Sequence, residues 1–296
     1  MAIICALAWA LTAGGARADE EPKKPLPPEE VALRTRDGVL IQATYYPSTV
    51  GKESVPVILL HAEKGVRGDF ASSALGLQAL GHAVIAPDLR GHGDSPLPRA
   101  GERGAVLRPV DLADMVSQDV ESVKNFLIER NNASELNIEK LCLVGAEMGA
   151  VVAVNFAARD WSWPVLATGK QGQDVKALVL ISPEWSHRGL HITEAIEHPQ
   201  VRTALSLIVI AGERSTKERR DAERLYKALE RFRPAATPDD ATGNRTLWLR
   251  MLPTTLQGTQ LLNEARMGVQ PMIEKFIELR LVNVDIPWQV RRNPLQ

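Results

Sequence analysis

Short runs of consecutive apolar residues alternate along this chain with stretches whose apolar positions recur every three to four residues. Residues 55–60, 82–86, 140–144, 176–181, 204–210 and 246–252 are rich in Val, Ile and Leu and too short for stable helices. Such continuous runs suit strands buried on both faces. Ahead of them, residues 31–36 and 39–46 alternate polar and apolar side chains about Asp37-Gly38, a turn pair typical of hairpins. Between the runs, residues 119–130 place Val120, Val123, Phe126 and Leu127 on one helical face, and residues 219–232 do the same with Ala222, Leu225 and Leu229. Residues 150–158 read as a helix, and 272–281 as a closing helix after Pro271. The alternation predicts βαβ units around a mostly parallel sheet, an α/β protein.

The chain of 296 residues can hold one large core, and no repeat or internal linker divides it. Its beginning is different. An apolar run over residues 2–13 is followed by Gly14, Gly15 and Ala16-Arg17-Ala18, the pattern of a signal peptide cleaved after Ala18, although a basic n-region is missing. The run is short for a bilayer span, so a membrane enters only if this segment stays uncleaved. Residues 19–30, DEEPKKPLPPEE, read as a Pro-rich charged tether, and residues 31–296 as the folded domain of a periplasmic or secreted protein. The full chain has a net charge of −1, so no electrostatic footprint for nucleic acid is present. Of the two cysteines, Cys5 lies in the expected signal and Cys142 in an expected buried strand, which leaves no internal disulfide.

Three motifs stand in order. Leu59-Leu60-His61 ends one strand run, Pro87 to Ser95 reads PDLRGHGDS after another, and Leu143 to Gly149 reads LVGAEMG between a strand and a helix. This succession resembles the α/β-hydrolase family from Val31 onward. The resemblance implies an eight-stranded, mostly parallel sheet flanked by helices, with little or no cap domain, and a Ser, acid, His triad in chain order. Gly145 and Gly149 match the small residues of the family's nucleophile elbow, but its apex is Glu147. The acid position after the seventh strand reads Ser215, and the His position reads Gln257, with no His after His198. Glutamine cannot accept a proton near neutral pH. Glu213 or Glu184 could supply a displaced acid, yet an acid needs an imidazole to orient. The oxyanion-like pocket would use Ala62, Glu63 and Met148. Glu63 and Glu147 would make it acidic, and one of them would stay protonated if the two were buried together. The structural alternative pairs Glu147 with a nearby Arg or Lys.

The remaining candidates are weaker. His61 and His92 fall at strand ends, where structural roles compete with chemical ones. His187 and His191, four apart, would share a helix face, and with His198, Glu184, Glu194 and Glu197 they form a polar loop or one-helix lid. No third ligand has convincing spacing, so neither a metal nor a cofactor is expected. Trp161, Trp163 and Trp185 read as core, rim or cleft residues, residues 102–108 and 234–243 as polar loops, and Asn132-Ala133-Ser134 as a glycosylation acceptor motif. The expectation is an exported pseudoenzyme that binds an unidentified small molecule or protein, the alternative being an ester or amide hydrolase rearranged around Glu147.

Overall fold

The computed structural model describes residues 24–97, 107–167, 169–233 and 245–291. Eight strands form one sheet: β1 (Glu29–Arg34), β2 (Leu40–Tyr46), β3 (Pro56–Leu60), β4 (Ala83–Pro87), β5 (Leu141–Ala146), β6 (Val175–Ile181), β7 (Ser206–Gly212) and β8 (Leu247–Leu252). Their order is β1-β2-β4-β3-β5-β6-β7-β8. β2 runs antiparallel to β1 and β4, and every pairing from β4 onward is parallel. The expected eight-stranded, mostly parallel sheet is therefore present. One boundary moves: β1 begins at Glu29, inside the expected tether, because Glu29 and Glu30 pair with Tyr45 and Thr44 of β2. The expected signal segment, 1–18, lies outside the described residues, as do residues 102–106 and 234–243 of the expected loops. Among the described residues no helix is long and apolar enough to cross a membrane.

The helices that cover the sheet are α1 (Ala71–Ala79), α2 (Pro109–Asp114), α3 (Val120–Asn132), α4 (Met148–Ser162), α5 (Thr193–Glu197), α6 (Pro199–Thr203), α7 (Thr216–Glu230), α8 (Gly258–Asn263) and α9 (Val269–Ile277). Alternation within the strands supplies both faces. Ile58, Leu60, Leu141 and Leu143 pack with α3, α4 and α7, while Val57, Leu59, Cys142 and Val144 pack with α1 and α9. Cys142 is fully buried, and burial pushes its thiol up, so it serves as a small core residue. Where one lid helix is expected, residues 186–203 hold a two-stranded ribbon and the short helices α5 and α6.

At the N-terminal ends of the central strands the charges are buried as a cluster. Lys124 and Asp160, both fully buried, are bonded at 2.7 Å, and Asp174 lies 3.4 Å from Lys124. Arg291 reaches Asp174 and Glu139 from a strap, residues 283–291, that follows α9 and the further turn Glu278–Val282. Side-chain amides of α3 and its following loop hold the strap. Asn131, Asn132 and Asn137 donate to the carbonyls of Gln289, Arg291 and Ile286 at 2.8–2.9 Å, and Trp288 Nε1 donates to Leu136 O at 3.1 Å. Asn132 Oδ1 also accepts the Arg291 N–H at 2.8 Å, so the acceptor amide of the expected glycosylation motif is engaged from both ends. Removing one partner of a buried charge pair leaves the other uncompensated. Arg291→Ala is expected to lower unfolding stability by about 3 kcal/mol in urea titration; a change under about 1 kcal/mol would mean that Lys124 and Lys170 suffice for Asp174.

Candidate functional site

β5 ends at Ala146, and the next residue turns the chain into α4. Glu147 takes φ 50° and ψ −110°, a conformation costing about 1–3 kcal/mol for a residue with a Cβ. Surrounding bonds hold it there: its N–H donates to Ile181 O at 2.9 Å, and its carbonyl accepts from Ala150 N–H at 3.0 Å. Packing leaves no alternative. A Cβ on Gly149 would fall inside 3.0 Å of the Leu60 and His61 carbonyls, and one on Gly145 would fall inside 3.0 Å of the Gly149 backbone. The two elbow glycines thus let α4 close against β3 and β5, and the elbow is intact with Glu147 at its apex.

The Glu147 carboxylate rests against Gly258, the first residue of α8, where a Cβ would fall inside 3.0 Å of Oε1. Gly258 also needs φ +52°. The expected partnership with Arg or Lys is absent: among the described residues Glu147 has no ion pair. Its carboxyl is pushed up, first by burial and then by Glu184 and Glu218, with Lys217 and His187 acting the other way. Glu63, the carboxylate expected to do this, is instead paired with Arg188.

The residues expected at the other two triad positions, Gln257 and Ser215, are each held by hydrogen bonds. Gln257 Oε1 accepts from Ser182 Oγ at 2.6 Å and from Gly212 N–H at 3.4 Å, and its Nε2 donates to Gly212 O at 3.3 Å. Ser182 Oγ in turn accepts the Gly258 N–H at 3.0 Å. Ser215, at the start of α7, donates its hydroxyl to Glu218. Of the two displaced acids, Glu213 is exposed, whereas Glu184 acts on the Glu147 carboxyl.

The expected helical face shared by His187 and His191 does not form. Arg188 and Gly189, both at positive φ, make a tight turn in which Ser186–His187 pairs antiparallel with Leu190–His191. This hairpin brings His187 to the elbow and sends His191 elsewhere. His187 Nδ1 is 2.5 Å from Glu184 Oε2, and its Nε2 lies 3.6 Å from Glu63 Oε2 with no hydrogen-bond partner. Lys217 Nζ donates to the other Glu184 oxygen at 2.5 Å. The ribbon is therefore latched to the loop after β3 through Glu63, and to α7 through Glu184. His198 only caps α6, accepting from Gln200 N–H at 3.3 Å. The Arg188-Gly189 pair was the sequence signal for the hairpin. Lys217 and Glu218 gave none beyond opening a helix after a strand.

Ala62 and Glu63 form the loop opposite the α4 N-terminus, where Met148 contributes an amide without an intrahelical partner. His61 fixes that loop. Its Nδ1 donates to Ala62 O at 2.7 Å, its Nε2 accepts the Leu89 N–H at 3.0 Å, and its ring lies 4.7 Å from that of His92. Burial pushes His61 down to about 4, so it stays neutral and structural. Among the described residues no group of three His, Cys, Asp or Glu side chains is arranged to hold a metal ion.

Two expected outcomes follow from the elbow. Gly149→Ala forces α4 off β3 and is expected to cost about 3 kcal/mol or more in chemical denaturation. Glu147 binds its proton more tightly in the fold than in the unfolded chain, so its charge opposes folding as pH rises and the opposition vanishes in acid. Glu147→Gln is therefore expected to raise Tm at about pH 7.5 and leave it unchanged at about pH 4; an equal shift at both would show that charge is not the cause.

A family model described as the alpha/beta hydrolase family matches residues 57–282. An uncharacterized protein of Mycobacterium tuberculosis is 27% identical over 130 residues, 44% of this chain and 41% of that protein. The chain thus matches about two fifths of the length of this curated relative. A Pyrococcus furiosus esterase superposes with a TM-score of 0.60 at 15% identity, covering 87% of this chain and 93% of that one. A dienelactone hydrolase from Anabaena variabilis gives 0.60 at 16% identity, covering 86% and 99%. At these identities the superpositions speak for the fold, and the family match spans most of the sheet together with the elbow: the chain belongs to the α/β-hydrolase family.

Proposed function

We propose that this protein is an exported, non-catalytic member of its family that binds a small molecule or protein at the carboxyl ends of its strands. One observation carries the reading: the position that must take and return a proton is Gln257, whose amide is bound by Ser182 and Gly212. The electrostatics agree. Acyl transfer builds negative charge beside the elbow, and here Glu147 already stands within the field of Glu184 and Glu218. Export rests on the segment 1–18 with its Ala16-Arg17-Ala18 site.

A second reading is favoured by the Glu184–His187 contact. There the Glu147 carboxylate attacks an ester or amide carbonyl, the departing alcohol or amine takes a proton from His187 Nε2, and a mixed anhydride remains. His187 Nε2 then takes a proton from the water that cleaves it, while Glu184 holds Nδ1.

A panel of short- and long-chain aryl esters and amides, offered to the wild type, Glu147→Ala and His187→Ala, separates the two. Background rates in all three proteins are the expected result. A saturable wild-type rate lost in Glu147→Ala overturns the non-catalytic reading, and its loss in His187→Ala as well assigns the base.

A further inference from the structure

Helix α7 presents two unlike faces. Ala222, Leu225 and Leu229 are buried against the sheet, whereas Arg220, Arg224, Lys227 and Arg231, spaced four, three and four apart, fall on one exposed stripe. From first to last the stripe runs about 16 Å along the axis. Neighbouring like charges at this spacing destabilise a helix, so the stripe works against the element that carries it.

The stripe is also concave. Its four cations, Glu223 and the indole of Trp185 line a cleft of about 530 Å³. The Arg224 guanidinium lies 3.7 Å from the centre of the Trp185 ring, which holds the planar group against one wall. Little negative charge answers these cations. Glu223 bonds to Arg219 at 3.2 Å, outside the cleft, and Asp221 stands 3.8 Å from Arg220. Arg224, Lys227 and Arg231 have no ion pair among the described residues. A chain of net charge −1 has thus gathered these cations along one shallow depression of its surface.

We propose that this cleft binds a small organic polyanion carrying two or more carboxylate or phosphate groups. Guanidinium forks suit both groups, since each presents paired oxygens to paired N–H donors. Trp185 gives the cleft an apolar wall for the carbon frame of the ligand, and it follows Glu184 directly, so the cleft adjoins the elbow cluster through one residue. The inference does not depend on whether Glu147 performs chemistry.

The test uses citrate and pyrophosphate as probes and acetate as the singly charged control, followed by calorimetry and by tryptophan fluorescence. One polyanion per chain is expected to bind, with affinity falling as ionic strength rises from about 0.05 M to about 0.5 M. Acetate is expected not to bind. Arg224→Glu/Arg231→Glu should weaken binding by at least about tenfold without lowering Tm, and Trp185→Phe should remove the fluorescence response. If the charge-reversed protein does not fold, Arg224→Gln/Lys227→Gln carries the same comparison. Preference for citrate assigns carboxylates to the site, and preference for pyrophosphate assigns phosphates. Absence of binding by both probes, unchanged affinity in the foldable variant, or a fluorescence response that persists in Trp185→Phe would overturn the proposal.

Discussion

The structure turns on how closely α4 lies against the sheet. Gly149 and Gly145 leave no room for a Cβ between the helix and the ends of β3 and β5, and that contact drives Glu147 into its strained conformation. The strain is therefore a consequence of packing that many buried residues enforce together, and it does not require a nucleophile at the apex to persist. The elbow holds because α4 is buried along most of its length and its register on the sheet is set by Ala and Val side chains and by glycine backbone rather than by the apex.

Around that fixed point the polar groups have settled into pairs that serve each other. Gln257, Ser182 and the backbone of Gly212 and Gly258 form a closed set of hydrogen bonds, each donor meeting an acceptor. Glu184 is shared between His187 and Lys217, and Glu63 between Arg188 and the edge of His187. Among the described residues Glu147 has no ion pair, and burial and its carboxylate neighbours govern its proton. The dienelactone hydrolase and the esterase share this backbone at 15–16% identity, a level at which side chains at the strand ends are free to differ.

The sheet was legible because its strands are buried on both faces, and continuous Val, Ile and Leu runs of that length have few other uses. The elbow was legible because close backbone approach demands glycine at fixed spacing, as at Gly145 and Gly149. The site around Glu147 was not. A periodicity of four between His187 and His191 suggests a helix, but Arg188-Gly189 at positive φ makes a hairpin, and local turn chemistry outweighed the spacing. The groups that act on Glu147 come from α7 and from the segment after β6, up to 71 and 40 residues away in sequence, and nothing local marks which carboxylates will meet. Likewise β1 starts at Glu29 because its partner strand is there to receive it, although the composition of residues 19–30 reads as tether throughout.

The engagement of Asn132 gives the fold a bearing on where it can be made. The amide that a glycosylating compartment would modify is the same amide that clamps the strap at Arg291, 159 residues further along the chain. In this protein the Asn132-Ala133-Ser134 motif and the strap share one nitrogen, and any group attached there would have to leave its remaining hydrogen aimed at the Arg291 carbonyl.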